Sequence, residues 1–241
     1  RVQGIQPSLV ATYFTLGKIA LMQGRTQDAL THYQAGLELE PDNEVLLFNI
    51  ANVYDQEGDV DKAIKIYQQV IKTKPNFVFA YNNLGLLYEK QEDPRNALKY
   101  YRKALKIDPT YNYARLNMGN LYAEKENYIK AKRIYQTALK VEPDNGWAHL
   151  YLGNIYFQTE HYNQAVKSYQ QAALHNPSYT TTYYLLAVTE YKLGHEGEAI
   201  KACENYLKHS PKGKYRNDMM RLMISIKIKQ SQQQILDASA E

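Results

Sequence analysis

Cysteine is nearly absent from this chain: Cys203 stands alone among 241 residues, so no disulfide framework and no thiolate metal site can be built from it. Long apolar runs are missing too. No stretch approaches the ~18 residues that a membrane span needs, and no signal-peptide pattern is visible near Arg1. The six histidines are scattered, with no metalloprotease-type pairing and no thiol partner, and no glycine cluster follows a strand and precedes a Walker-type lysine. These absences remove the usual catalytic and phosphate-binding constellations, so the reading expects no enzyme, no cofactor and no metal. Charge of one sign is not in large excess. The formal net charge of +4 is spread among interspersed acids and bases, and no nucleic-acid module signature appears, so no nucleic-acid partner is expected. Nothing here specifies a compartment.

Periodicity is what the chain has in abundance. Proline recurs at Pro41, Pro75, Pro109, Pro143, Pro177 and Pro211, and alanine at Ala29, Ala63, Ala97, Ala131, Ala165 and Ala199, both in steps of 34 residues. Tyrosine follows the same step at Tyr33, Tyr67, Tyr101, Tyr135 and Tyr169, with Cys203 in the sixth place. A small residue marks the partner helix at Gly17, Ala51, Gly85, Gly119, Gly153 and Ala187. Within one unit, Val78 to Tyr111, the residues Tyr81, Leu84, Gly85 and Tyr88 fall at i, i+3, i+4 and i+7. After a polar break, Ala97, Tyr101 and Ala104 fall at i, i+4 and i+7 before Pro109, which predicts two amphipathic helices and a stop.

The period and these residue types resemble the tetratricopeptide repeat, from Val10 to Asn217. The expected fold is all-α, an alpha-alpha superhelix of six helix-turn-helix repeats; its right hand is what the resemblance implies. The repeats run 10–43, 44–77, 78–111, 112–145, 146–179 and 180–213. Residues 1–9 read as a lead-in, because Gly4 and Pro7 argue against a helix before an N-cap at Ser8. Residues 214–230 read as a C-terminal capping helix and 231–241 as a fraying tail. The turns inside repeats one, two and six carry Gly24, Gly58 and Gly194, where a left-handed cap is expected. Glu92, Glu126 and Glu160 hold that register elsewhere, so those turns either differ in geometry or are strained.

The candidate site lies on the first helix of each repeat, the face that lines the inner groove in proteins of this resemblance. Asn49, Asn83 and Asn117 form one column with a spacing of 34, and Asn52, Asn120 and Asn154 form a second column three residues further on. Residues i and i+3 are neighbours on a helix, so both columns share a face. A carboxamide carries two donors and an acceptor, which suits the main chain of an extended peptide; local or water-mediated bonding is the other role open to these side chains. The stretches YNNLG at Tyr81–Gly85 and LNMGN at Leu116–Asn120 resemble the asparagine ladder in the repeat domain of O-linked N-acetylglucosamine transferases. That resemblance implies a peptide groove without glycosyl transfer, since no catalytic domain accompanies it.

Phe79, Tyr113 and Trp147 make a third column, with Tyr151 and Tyr184 near the same face; such aromatics serve as anchors for a partner or pack on the preceding repeat. The carboxylate clamp of some members of this family needs lysine and arginine at positions held here by Phe14, Phe48, Asn82, Leu116 and Leu150, so capture of an acidic terminus is not expected. On the last helix, Tyr215, Met219, Leu222 and Ile226 form one apolar stripe, and Met220, Ile224 and Ile228 a second, with Met223 beside them. A two-sided cap, a docking helix and a homo-oligomer contact all fit that pattern. The functional expectation is a scaffold that holds a protein or peptide partner in its groove. The alternative is a structural subunit of a larger assembly, of the ciliary transport or bacterial envelope and pilus type, docked through its outer face and last helix.

Overall fold

The computed structural model describes residues 6–240, and among these thirteen α-helices and no strand are found. Six hairpins are followed by a single helix. They are α1 (Gln6–Met22) with α2 (Thr26–Leu39), α3 (Glu44–Gln56) with α4 (Val60–Thr73), and α5 (Val78–Lys90) with α6 (Pro94–Ile107). Then come α7 (Asn112–Glu124) with α8 (Tyr128–Val141), α9 (Gly146–Gln158) with α10 (Tyr162–His175), and α11 (Thr181–Lys192) with α12 (Glu196–His209). The last helix is α13 (Arg216–Ala240). The chain forms two compact units, residues 1–117 and 118–241, whose boundary falls inside α7. In the first unit each helix from α1 to α6 packs on the next in sequence, and in the second unit the same holds from α8 to α13.

Both units are built on one packing device. The tyrosine of each second helix is fully buried at Tyr33, Tyr67, Tyr101, Tyr135 and Tyr169, beside the fully buried alanine four residues earlier. In repeats one, three, four and five the ring packs directly against the glycine of the first helix. A Cβ added at Gly85 would sit 2.3 Å from Tyr101 Cε1, and one added at Gly153 would sit 2.6 Å from Tyr169 Cε1, so glycine is what admits the ring. In the sixth hairpin Ala187 faces the smaller, buried Cys203 instead. Burial pushes that thiol up to about 11, which keeps it protonated and inert.

The helix ends follow from local chemistry. Asp59, Asp93 and Asn127 cap the second helices by accepting from the backbone N–H groups of Lys62, Asn96 and Lys130. Pro94 occupies the first turn of α6, where its missing N–H costs nothing. Each second helix stops two residues before its periodic proline, and the residue preceding proline leaves the helical region, as at Lys74 (φ −125°, ψ 82°) and Asp108 (φ −129°, ψ 99°).

All six turns within hairpins share one geometry. The N–H groups of Arg25, Asp59, Asp93, Asn127, His161 and His195 donate to the carbonyl five residues back, the six-to-one bond of a Schellman cap. The residue before each donor is left-handed. It is glycine at Gly24, Gly58 and Gly194, but Glu92, Glu126 and Glu160 adopt φ of 57°, 55° and 59°, so these turns keep the geometry and carry the strain.

Two boundaries differ from the sequence reading. Helix α1 begins at Gln6, so Pro7 and Ser8 lie inside it rather than ahead of it; a proline in the first helical turn loses no intrahelical bond. Gly4 lies outside the described residues. Residues 231–240, expected to fray, continue α13. That segment has no glycine or proline, carries three glutamines, two alanines and one leucine, and is braced by Gln233 Nε2 donating to Asp237 Oδ1 at 2.7 Å.

Candidate functional site

In the first unit the asparagines form a bonded chain. Tyr67 Oη donates to Asn52 Oδ1, and Asn83 Nδ2 donates to both Asn52 Oδ1 at 3.1 Å and Tyr67 Oη at 3.0 Å. Asn82 Nδ2 then donates to Asn83 Oδ1 at 3.3 Å, and Asn117 Nδ2 to Asn82 Oδ1 at 3.1 Å. Asn49 stands apart, its Nδ2 donating to Val45 O at 2.7 Å along its own helix. In the second unit Tyr135 Oη donates to Asn120 Oδ1 at 2.7 Å, and Tyr169 Oη to Asn154 Oδ1 at 2.9 Å.

The second asparagine column therefore has a definite local role: Asn52, Asn120 and Asn154 each accept the hydroxyl of the core tyrosine fifteen residues later. That bond fixes the amide plane. With Oδ1 engaged, the Nδ2 group of each of the three has no partner among the described residues and remains as a two-proton donor on a half-buried side chain. In the first column, the Oδ1 atoms of Asn49 and Asn117 are likewise without a partner among the described residues. Burial raises the phenol pKa of Tyr67, Tyr135 and Tyr169 well above the usual value, so all three stay protonated donors at neutral pH.

The aromatic column is exposed. Phe79 is 49 % accessible, Tyr113 70 % and Trp147 39 %. These rings belong to larger ledges. In the first unit Phe48, Phe77, Phe79, Tyr111 and Tyr113 follow one another at centroid distances of 5.2, 5.7, 5.6 and 5.6 Å, and Phe79 meets Tyr111 edge-on at 89°. In the second unit Trp147 lies 4.7 Å from Tyr179 and 6.2 Å from Tyr151, which continues to Tyr135 at 5.5 Å. Phe77, Tyr111 and Tyr179 were missed in the sequence reading although their spacing of 34 and 68 residues was there to find. Asn82 was missed as a ladder member because it was read only as a vacant clamp position.

Three expected residues fall elsewhere. Tyr184 stacks on Tyr215 at 4.0 Å and belongs to the contact between the last hairpin and α13. Met219 is 1 % exposed in that core cluster, and Met223 is half-buried against it, so neither offers a docking surface. Met220, Ile224 and Ile228 are exposed on the far side of α13, joined by Ile235. That helix is tied down by Lys229 Nζ at 2.7 Å and Gln230 Nε2 at 3.0 Å, both donating to Glu196. In the divergent last hairpin Glu190, buried where repeats two to five have tyrosine, accepts from His195 Nδ1 at 2.8 Å. The described residues contain no group of three or more potential metal ligands, and no helix among them is long and apolar enough to cross a membrane.

A fold of 34-residue helical hairpins with a half-buried polar seam and an aromatic ledge defines a helical-repeat protein of the interaction class. The tetratricopeptide repeat family matches residues 78–111, residues 20–84 with 123–177, and residues 153–214, and the chain belongs to it. Repeats of this family are protein-interaction modules. Among curated proteins no relative matches the chain. Solved structures share the fold at low identity. PilW, a type IV pilus biogenesis factor, is 20 % identical with a TM-score of 0.73, over 88 % of this chain and 98 % of its own. Pseudomonas aeruginosa pilF is 15 % identical with a TM-score of 0.73, over 93 % and 99 %. YrrB, a TPR protein with an unusual peptide-binding site, is 16 % identical with a TM-score of 0.56, over 81 % and 97 %.

Proposed function

We propose that this chain is a non-catalytic adaptor whose first-helix faces hold an extended segment of a partner protein. The observation that carries the proposal is the recurrence of one oriented amide. Asn52, Asn120 and Asn154 are each pinned through Oδ1 by a core tyrosine and left with a donor group to spare. A donor held at this register in each unit suits a carbonyl of an extended main chain. The exposed rings of Phe79, Tyr113 and Trp147 beside them supply rigid anchors for side chains. Asn83 and Asn117 contribute by holding the seam in register, and Asn49 and Asn117 add acceptors for peptide N–H groups.

The test uses aspartate in place of asparagine at positions 52, 120 and 154. Aspartate keeps an oxygen for the tyrosine hydroxyl and removes the donors. Against peptides selected by the wild-type protein from a random nonapeptide display library, the triple variant is expected to bind at least ~10-fold more weakly, about 1.4 kcal/mol, with unchanged helicity. Wild-type affinity in the variant would end this reading.

A second reading rests on the exposed stripe of Met220, Ile224, Ile228 and Ile235, which faces away from the buried side of α13. Under it the chain is a fixed subunit of a larger assembly, or of a homo-oligomer, docked through the last helix, and the aspartate variant would bind every partner normally. The pilus biogenesis factor among the structures of the same fold is consistent with such a role.

A further inference from the structure

The aromatic ledge stops short of the first hairpin. The register occupied by Phe79, Tyr113 and Trp147 is held by Ala11 and Val45 at the N-terminal end, and the register of Phe77, Tyr111 and Tyr179 is held by Asn43. Replacing large rings with small side chains leaves a hollow. A pocket of about 270 Å³ opens there, walled by Val10, Ala11, Phe14, Val45 and Leu46, with Glu40 and Asn43 at one side. It lies wholly within the first unit. Its volume falls between the ~150 Å³ that accepts a benzene ring and the ~300 Å³ at which small-molecule sites begin. That is room for one large apolar side chain.

The polar side of the pocket specifies what lies next to that side chain. Glu40 accepts from Asn43 Nδ2 at 2.7 Å, while Asn43 Oδ1 is already used to cap α3 through Val45 N and Leu46 N. Four carboxylates cluster along the chain here: Glu38 in the last turn of α2, Glu40 and Asp42 in the connection, and Glu44 at the start of α3. Lys74 pairs with Glu44 at 2.5 Å, and the other three have no cationic partner among the described residues. Lys18, whose Nζ lies 5.5 Å from the Phe14 ring centroid, pairs with no carboxylate among them either. An apolar hollow beside an acidic rim is complementary to a large apolar residue flanked by a cation.

We infer that this pocket is the specificity site of the peptide face, taking a large apolar side chain of the partner segment while Glu40 and its neighbours receive an adjacent lysine or arginine. The inference rests on the peptide-binding reading above and adds what the partner must contain. It also sets register: the pocket marks which residue of the segment is the anchor.

The experiment is selection from a random nonapeptide display library on the full chain, its Val45→Phe variant, its Glu40→Gln variant and the triple aspartate variant. Val45 is 40 % exposed and aromatic residues hold its register in three other repeats, so the phenylalanine fits the fold while filling the pocket. Wild-type selection is expected to enrich a large apolar residue next to lysine or arginine. Val45→Phe should lose the apolar preference and bind the wild-type winner at least ~10-fold more weakly, in line with losing one buried apolar side chain. Glu40→Gln should lose the preference for a cation alone; Ala11→Phe serves as a second filler. If Val45→Phe and Ala11→Phe enrich the same peptides with the same affinity as wild type, the pocket assignment is overturned and the ladder stands. If the triple aspartate variant keeps the wild-type selection while Val45→Phe loses it, the ladder fails and the pocket stands. No enrichment by the wild type removes both. Binding tightened at least ~10-fold by Val2→Ser with Ile5→Ser would name residues 1–5 of the same chain as the occupant and overturn a partner residue in that place.

Discussion

One hydroxyl in the first hairpin has nothing to bond. Tyr33 Oη is fully buried and has no hydrogen-bond partner among the described residues, whereas Tyr67, Tyr135 and Tyr169 donate to Asn52, Asn120 and Asn154, and Tyr101 donates to Glu89 Oε1 at 2.5 Å. The cause is a single residue: Lys18 stands in the register of those asparagines. An unsatisfied buried hydroxyl costs about 1–3 kcal/mol, whereas a made bond contributes about 1 kcal/mol net. Tyr33→Phe is therefore expected to leave stability unchanged or raise it by about 1 kcal/mol. Tyr135→Phe, which strands the Asn120 carbonyl, is expected to lower it by about 1 kcal/mol. Urea unfolding of the two variants beside wild type decides this, and equal losses in both would show that Tyr33 is satisfied after all.

At the scale of the element, the unusual parts are three turns rather than any helix. Glu92, Glu126 and Glu160 complete Schellman caps identical in bonding to those closed by Gly24, Gly58 and Gly194, at positive φ that a side chain resists by about 1–2 kcal/mol. Glycine gives back about 0.5–1 kcal/mol through the greater freedom of the unfolded chain, so Glu126→Gly should be a net gain of about 0.5–1 kcal/mol. The urea midpoint should rise with the slope unchanged; a fall would mean that the glutamate side chain makes a contact outweighing the strain. The same turns show what a sequence of this kind discloses. Helix pairs, their register and the fully buried tyrosines were legible because a 34-residue unit occurs six times. The turn conformation was not, since glutamate at a glycine register is compatible with two geometries until the bond from Asp93 N to Tyr88 O is seen. The ends were misread for the same reason: Gln6 to Ser8 and residues 231–240 lie outside the repeat, and only local propensity speaks there.

For the whole molecule, the asparagine columns were legible as spacing, but their role was not. The bond from Tyr169 to Asn154 joins two helices across fifteen residues, and no spacing rule separates a side chain that faces a partner from one that faces its own core. Because the buried phenol recurs in both units, one solution property should report on both together. Burial raises the pKa of Tyr33, Tyr67, Tyr135 and Tyr169, and it pushes Tyr111 up to about 12. A phenol is neutral when protonated, and in the unfolded chain it loses its proton near pH 10. Above that pH the unfolded state binds fewer protons than the folded state, so stability falls as pH rises, by about 1.4 kcal/mol per pH unit for each such tyrosine. The contribution is intact below pH 10 and is lost on the way to the folded-state values. With 23 tyrosines in the chain, the expected phenolate absorbance curve has two phases, exposed rings near pH 10 and buried rings later. The second phase should coincide with loss of helical circular dichroism. A single phase with helicity intact would mean that these rings reach solvent without unfolding, against the packing of Tyr33, Tyr135 and Tyr169 on their glycines.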